Sequence, residues 1–310
     1  MNLINTVTGT CSADQLGVTL THEHLMIGWA GWETDSTVRF DRKAAIDEVT
    51  AKVKELRDLG LETFVDPCPM DLGRDPEFMA EVSQRSGVRV ICATGLYTHT
   101  LGANAYYRQR KLDELVDIYV HDLTVGIGET GIKAGLIKCA TGLGKITKYE
   151  ERCLRAAAKA HLATGAPITT HTEGGTMGPE QLDIFASEGV DLSRVIIGHS
   201  CGNSDLRYHV GMLDRGCILG FDRFGIEVIL LDKVRLAAMI GLMGIGYHKQ
   251  LVPSCDSAGC VQGRQPRGPS PLKHPSYLWH RIFPALREAG VSEDKLRTIL
   301  VDNPRRFFTR

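Results

Sequence analysis

The chain alternates between two kinds of segment, and this alternation repeats eight times along its 310 residues. One kind is a short run rich in β-branched residues that ends in small or polar residues. The other is longer and carries apolar residues three and four positions apart, which is typical of an amphipathic helix. The predicted strands are 17–25, 61–69, 88–97, 135–141, 167–173, 195–201, 217–224 and 250–256. Eight such units favour a (β/α)8 TIM barrel over an open doubly wound sheet, which usually has fewer strands.

Composition is that of an ordinary globular protein, with 43% hydrophobic and 24% charged residues. No internal repeat, low-complexity tract or linker stands out, so we interpret residues 1–310 as a single domain. The segment 257–275 is rich in Gly, Pro, Arg and Lys and follows the eighth predicted strand. In a barrel it would form a long loop over the carboxyl end of the strands.

Charge and cysteine usage narrow the class of protein further. Lys and Arg number 36 against 37 Asp and Glu, with no long run of one sign, which argues against general binding to nucleic acid or to membrane surfaces. No apolar stretch approaches the ~18 residues of a membrane helix. The nine scattered cysteines contain no CxxC pair, and the first residues do not resemble a signal peptide. We therefore expect reduced thiols and a cytoplasmic protein.

Six polar side chains come at the carboxyl ends of predicted strands, where the active sites of α/β barrels are built. They are His22, His24, Lys138, His171, His199 and Asp256. His22 and His24 are two positions apart, so on a strand they point to the same face. One buried histidine is more often a hydrogen-bonded core residue than a ligand. The whole set at one level, with imidazole and carboxylate donors, predicts a site for zinc or a neighbouring metal.

Lys138 has two interpretations at this stage. A buried lysine is commonly half of a structural ion pair. Among metal ligands, however, a desolvated amine near cations has a lowered pKa and becomes neutral enough to react. Reaction with carbon dioxide would convert it into a carbamate, an anionic oxygen ligand able to bridge two metal ions.

The sequence resembles the phosphotriesterase family of the amidohydrolase superfamily, and within it most resembles the phosphotriesterase-like lactonases. The resemblance runs nearly end to end. The segments that carry it are Thr21-His22-Glu23-His24, Gly95-Leu96-Tyr97-Thr98, Ile132-Lys133-Ala134-Gly135, Lys138-Cys139-Ala140-Thr141, Thr170-His171-Thr172, Gly198-His199, Phe221-Asp222-Arg223-Phe224-Gly225 and Leu300-Val301-Asp302-Asn303-Pro304-Arg305-Arg306. Its specificity comes from the ordered set of six ligand types.

The resemblance implies an amidohydrolase-type barrel with two divalent metal ions, zinc by expectation, with iron, cobalt or manganese as alternatives. His22, His24 and Asp256 would bind the more buried ion, and His171 and His199 the more exposed one. Carboxylated Lys138 and a hydroxide would bridge the two. Such a pair lowers the pKa of its water, and Asp256 would accept the proton as general base.

Two further residues receive roles from the resemblance. Tyr97 would lie over the metal centre and contact the substrate or the bridging water. Arg223 would hold its loop and take part in proton transfer. The alternatives are a packed aromatic ring for Tyr97 and a structural arginine paired with a carboxylate for Arg223. Homodimerisation is also an expectation from the resemblance.

The function implied is hydrolysis of lactones, acyl-homoserine or other small lactones, by a metal-bridging hydroxide, with promiscuous organophosphate triesterase activity. A phosphotriester resembles the transition state of lactone attack, so one centre can serve both reactions. Alternatives are a dedicated organophosphate or carboxyl-ester hydrolase, a lactonase for carboxylate- or phosphate-bearing substrates, and a barrel that binds metal without turnover. A flavin or nicotinamide enzyme is disfavoured because no G-x-G-x-x-G opens a helix.

The sequence departs from the lactonase pattern near the eighth strand. The strand ends Ser254-Cys255-Asp256, where Ser-His-Asp is frequent in the family. The loop that follows carries Arg264, Arg267, Lys273 and His274. It is either a solvated polar loop or a cationic lid for an anionic substrate. Trp29 and Trp32, after the first strand, either line the pocket or cover the rim of the barrel.

Overall fold

The structure is a computed structural model that describes residues 3–263 and 273–309. Its strands are β1 (Leu3–Thr6), β2 (Gly9–Ser12), β3 (Thr19–Leu20), β4 (His24–Gly28), β5 (Thr63–Asp66), β6 (Arg89–Gly95), β7 (Leu136–Thr141), β8 (Ile168–Thr172), β9 (Val195–Ile197), β10 (Ile218–Phe221), β11 (Leu251–Pro253) and β12 (Ala258–Gln262). Its helices are α1 (Arg42–Asp58), α2 (Pro76–Ser86), α3 (Ala105–Arg108), α4 (Leu112–Thr124), α5 (Lys148–Thr164), α6 (Gly178–Ser187), α7 (Leu206–Leu213), α8 (Asp232–Gly244), α9 (Phe283–Glu288), α10 (Glu293–Arg297) and α11 (Asn303–Phe308).

Eight parallel strands form one sheet in the order β11-β10-β9-β8-β7-β6-β5-β3. The two ends of this sheet meet just beyond the strands themselves. The backbone amide of His22 donates to Ser254 Oγ at 3.1 Å, and the amide of Asp256 donates to the His22 carbonyl at 3.2 Å. With helices between successive strands, this is the (β/α)8 TIM barrel that the sequence predicts.

Side chains of the barrel strands alternate between an inner core and an outer layer under the helices. In β7, Leu136 belongs to the inner cluster, and Ile137 and Cys139 belong to the outer one. Lys138 therefore points inward, one level above Leu136. The same alternation turns the last residues of the other strands towards a common centre at the carboxyl end. Core packing thus fixes which side chains reach the site.

The first predicted strand is wrong in its extent. Instead of one strand over 17–25, the chain forms the two-residue β3, leaves regular structure, and resumes as β4 at His24. The strand is interrupted because the residues between β3 and β4 bond to polar groups across the closure: the amide of His22, for example, donates to Ser254 Oγ at 3.1 Å. Both histidines nevertheless reach the same cavity.

Three short strands were not predicted. The hairpin of β1 and β2 has its Ile4 and Cys11 in the inner core cluster. Strand β12 pairs in parallel with β4, outside the eight-stranded sheet. These segments hold polar or small residues and give little apolar signal, so tertiary pairing decides their conformation.

Helices form in the longer segments that carry apolar residues three and four positions apart, as α1 and α5 show. Helix α1 buries Ile46, Val49 and Val53, and Asp41 caps it by accepting from the amide of Ala44 at 3.0 Å. Gly60 follows its end with a positive φ of 103°. Helix α5 begins with a capping box formed by Thr147 and Glu150.

All nine cysteines are free, and all but Cys260 are buried. Across 3–263 and 273–309, no helix combines the length and the apolar character needed to cross a bilayer. The interpretation of the chain as a single domain stays a prediction.

Candidate metal centre

A cavity of about 190 Å³ opens at the carboxyl end of the barrel strands. The six side chains predicted as metal ligands all line it, and so do both further predicted residues. Its lining consists of His22, His24, Ile27, Trp29, Pro69, Leu72, Tyr97, Lys138, His171, His199, Arg223, Asp256 and Ala258. Charged and imidazole groups therefore share the lining of the cavity with apolar side chains.

Asp256 lies among three of the imidazole groups that line the cavity. Its Oδ1 is 3.7 Å from His22 Nε2 and 3.4 Å from His24 Nε2, and its Oδ2 is 3.6 Å from His199 Nε2. The donor atoms of His22, His199 and Asp256 all lie within 4.8 Å of one another, a group that could hold a metal ion. Arg223 Nε donates to Asp256 Oδ2 at 3.0 Å.

Two buried aspartates hold three of the histidines by their other ring nitrogen. Asp222 accepts from His199 Nδ1 at 2.9 Å through Oδ1, and its Oδ2 lies 3.0 Å from His22 Nδ1. Asp66 Oδ1 lies 3.0 Å from His24 Nδ1. A carboxylate on Nδ1 fixes the proton there and leaves Nε2 with a free lone pair. Burial lowers the pKa of His22 and His199, so their Nε2 atoms face Asp256 as lone pairs, which is the form that binds metal. At His24, against the effect of burial, hydrogen bonds with Asp256 and Asp66 raise the pKa well above the usual value.

Lys138 is fully buried, yet its ammonium has no carboxylate partner among the described residues. Its Nζ lies 3.1 Å from His22 Nε2 and 3.3 Å from the Thr170 carbonyl. Burial lowers the pKa of Lys138 to about 8, against the raising effect of Asp256 and Asp222. An amine in these surroundings is neutral in a sizeable fraction of molecules near physiological pH, and a neutral amine is the nucleophilic form.

His171 differs from the other three histidines. Its Nε2 lies 2.9 Å from Glu173 Oε2, and its Nδ1 lies 3.4 Å from the Tyr97 hydroxyl. The Tyr97 ring meets it edge-on at 5.0 Å, and the ring of His199 lies 4.5 Å away on another side. Tyr97 therefore packs against a candidate ligand and also lines the cavity. Its position fits both a packed aromatic ring and a residue that contacts the substrate.

Arg223 is likewise paired with a carboxylate, but that carboxylate is Asp256. Its Nη1 is buried, lies 3.9 Å from Glu173 Oε1 and has no hydrogen-bond partner among the described residues. The structural interpretation of this arginine and a functional one are therefore compatible. Its charge contributes to holding the pKa of Asp256 well below the usual range, although burial alone would raise it.

Backbone strain is concentrated at the site. His199 and Asp256 have positive φ values of 59° and 53°, a region that residues with a Cβ seldom adopt. For Asp256 the neighbouring Glu23 supports this conformation. Its carboxylate accepts from the amides of Cys255 and Ser257, at 2.6 and 2.9 Å, on either side of Asp256.

The sequence analysis missed the four carboxylates that support the ligands: Glu23, Asp66, Glu173 and Asp222. A signal existed for two of them. Asp66 ends β5, and Asp222 immediately follows β10, so the rule that identified the ligands applies to both. Glu23 and Glu173 lie outside regular strands in the structure, and their roles depend on hydrogen bonds that the sequence pattern does not show.

The residues of uncertain role fall in different places. Trp29 lines the cavity of the candidate centre, whereas Trp32 lines a different cleft with Asp71 and Asn104. Lys273 and His274 line a third cavity, beside α1. Arg264 and Arg267 lie outside the described residues. Lys273 and His274 therefore do not line the candidate centre, although Ala258 of the same segment does, and His24 lines both cavities.

The donor set fits divalent cations of the zinc type. Four imidazoles and one carboxylate line one cavity, the second nitrogen of each imidazole is held by a carboxylate or faces one, and a buried amine without a counter-ion lies between them. Such a concentration of buried donors is costly without a cation to share.

Comparison with known proteins agrees with this architecture. The model of the phosphotriesterase family matches residues 2–308. A "phosphotriesterase homology protein" of Mycobacterium tuberculosis is 38% identical over 99% of this chain and 98% of its own. An "aryldialkylphosphatase" of Saccharolobus solfataricus is 32% identical over 95% of each chain.

Solved structures are equally similar. A mutant of a "PTE-like lactonase" from Deinococcus radiodurans superposes with a TM-score of 0.95 at 39% identity, covering 99% of this chain and all of that one. The family match spans nearly the whole sequence, and the carboxyl end of the barrel holds the cavity described above. The chain therefore belongs to the phosphotriesterase family and is a hydrolase of that family.

Proposed function

We propose that the protein is a binuclear metal-dependent hydrolase that opens lactones and also cleaves organophosphate triesters slowly. The convergence of His22, His24, His199 and Asp256, with Asp256 Oδ1 3.4 Å from His24 Nε2, is the observation that carries the proposal. The similarity to a named PTE-like lactonase supports the choice of substrate class.

In this proposal His22, His24 and Asp256 hold the more buried ion and His171 and His199 the more exposed one. Lys138, as a carbamate, holds both. When bound, two such ions supply a nucleophile from water near neutral pH and polarise the carbonyl or phosphoryl oxygen of the substrate. Zinc is the ion we expect, with iron, cobalt and manganese as alternatives.

The remaining steps belong to residues of the chain. Asp222 and Asp66 hold the histidines by Nδ1, so that each Nε2 faces the metal site. Asp256 receives the proton of the nucleophile at a carboxylate oxygen, and Arg223 orients that carboxylate through its 3.0 Å hydrogen bond. Tyr97 closes the cavity over His171 and contacts the substrate.

A dedicated organophosphate hydrolase is the second candidate, because one relative is named an aryldialkylphosphatase. Anionic lactones remain a variant of the first candidate, since Arg223 brings a buried guanidinium to the cavity wall. A cytoplasmic location, supported by nine free cysteines, and a homodimer are further parts of the proposal.

The test is metal content by elemental analysis, combined with turnover of a substrate panel. The panel holds γ- and δ-lactones, acyl-homoserine lactones, lactones with a carboxylate or phosphate, and paraoxon. We expect about two metal ions per chain, lactones as the best substrates, and loss of activity and of metal in Lys138→Ala. Fewer than one ion per chain under metal-replete conditions, without any hydrolysis, would refute the mechanism. Paraoxon as the best substrate would favour the second candidate.

A further inference from the structure

We propose that Glu173 is a positioning residue for the more exposed metal ion, and that it acts by orienting His171. This inference rests on the proposed function, because it assumes that the cavity binds two ions. It assigns a role to a side chain outside the six candidate ligands.

The contact between the two residues is direct. Glu173 Oε2 lies 2.9 Å from His171 Nε2. A carboxylate at this distance accepts the Nε2 proton, which fixes the tautomer and leaves the lone pair on Nδ1. That nitrogen is on the side of the ring where the Tyr97 hydroxyl lies 3.4 Å away. Glu173 therefore decides which nitrogen of His171 is available to a ligand.

The backbone around Glu173 fixes the position of this residue beside His171. It directly follows β8 and begins a tight turn in which Gly174 and Gly175 have positive φ values of 62° and 67°. A Cβ on Gly175 would lie 2.5 Å from the amide nitrogen of Asn203, so the turn is packed closely against its neighbour. Thr176 Oγ1 also donates to the Glu173 carbonyl at 2.7 Å.

The same carboxylate also faces the guanidinium that orients Asp256. Glu173 Oε1 is 3.9 Å from Arg223 Nη1, a buried donor without a hydrogen-bond partner in the described part of the chain. One carboxylate therefore lies against His171 on one oxygen and near Arg223 on the other.

Glu173 differs from the aspartates that support the other histidines in two respects. Its side chain is 37% exposed, whereas those of Asp66 and Asp222 are 0% and 1% exposed. It also holds Nε2 instead of Nδ1. His171 alone depends on a partner at the surface, so losing that partner should affect one ion and leave the buried one unchanged.

The test compares Glu173→Ala, Glu173→Gln and the matched control Glu180→Ala, an exposed glutamate at the start of α6. Each protein is stripped of metal, and its bound zinc is measured after equilibrium dialysis over a range of free Zn²⁺. The visible absorption of the Co²⁺-loaded proteins gives a second readout, because it reports the coordination of each ion.

The unmodified protein is expected to bind two ions. In Glu173→Ala the weaker site should lose about 10–100-fold in affinity while the tighter site is unchanged, which is the usual effect of removing an outer partner of a ligating histidine. Glu173→Gln should stay within about threefold of the unmodified protein, because an amide oxygen still accepts the Nε2 proton. Glu180→Ala should bind both ions normally.

Unchanged binding of both ions by Glu173→Ala would overturn the inference. So would a loss in Glu173→Gln as large as in Glu173→Ala, since that result would make the carboxylate itself a ligand. If the unmodified protein binds fewer than two ions, the proposed function fails instead, and the two failures are thus distinguishable.

Discussion

At the residue scale, Asp222 supports two candidate ligands at once. Its two oxygens lie 3.0 and 2.9 Å from His22 Nδ1 and His199 Nδ1, whereas Asp66 contacts His24 alone among the candidate ligands. In the proposed arrangement, His22 and His24 bind one ion and His199 binds the other. One buried aspartate therefore links the two metal positions.

We expect Asp222→Ala to weaken both zinc ions and Asp66→Ala only one, each by about 10–100-fold, because truncation removes the acceptor of every imidazole Nδ1–H that the aspartate holds. Zinc binding isotherms of the two variants provide the measurement, with circular dichroism to confirm folding. Equal patterns in the two variants would contradict this assignment of histidines to ions.

Asp71 gives a prediction about pH. Its side chain is 4% exposed, and burial raises its pKa to about 6 from the usual 3.8, although the amide of Tyr97 donates to it. The folded state therefore binds the proton more tightly than the unfolded one. The stability that Asp71 contributes is complete below pH 3.8 and is lost as the pH rises through 6.

Asp71→Asn removes this titration. Relative to the unmodified protein, the free energy of unfolding of the variant should rise by up to about 3 kcal/mol between pH 4 and pH 7. Urea denaturation at both pH values measures the difference. A difference that does not vary with pH would show that Asp71 titrates normally in the folded chain.

At the scale of elements, the pairing of β6 with β7 sets the position of Lys138 along the barrel axis. Gly95 ends β6 opposite Lys138, with a φ of 116°. A Cβ on Gly95 would lie 1.8 Å from the Lys138 carbonyl oxygen, a backbone atom that cannot move aside cheaply. Only glycine allows the two strands this approach.

Gly95→Ala should therefore destabilise the fold by about 3 kcal/mol or more, through both the clash and the backbone strain. Gly211→Ala is the matched control. Gly211 lies within α7 with open space around its Cα, and alanine there should stabilise by about 0.5–1 kcal/mol. Urea midpoints of the two variants should move in opposite directions, and a stable Gly95→Ala protein would show that the strands can separate at this point.

The elements also show how far the sequence was informative. Lys138 and His171 lie in strands that were predicted, and Asp256 follows the last barrel strand, so all three reach one cavity. Apolar runs followed by a polar residue are a local signal, and parallel strands share one carboxyl edge. The break between β3 and β4 was not predicted, since it arises from hydrogen bonds to Ser254 and Ser257 over two hundred residues away. Glu173 was missed for a related reason: its position depends on a turn packed against another loop.

At the scale of the whole molecule, the proposed ligands come from five of the eight barrel units, so bound metal should stabilise the entire barrel. An ion at a free concentration of about 1,000 times its Kd contributes about 4 kcal/mol. Removal of metal with a chelator should thus lower Tm by several degrees, and added zinc should restore it. The measurement is thermal unfolding followed by circular dichroism, with the Lys138→Ala protein as control. An unchanged Tm would show that the folded barrel gains nothing from the ions.

The closure of the barrel has a consequence for how the protein is made. The first two candidate ligands, His22 and His24, meet their partner Asp256 across the closure, where the amide of His22 reaches Ser254, 232 positions later in the chain. During synthesis the early histidines therefore leave the ribosome long before their carboxylate exists. A nascent chain that stops short of β11 can hold no complete centre, so metal loading should be a late event that reports a finished barrel.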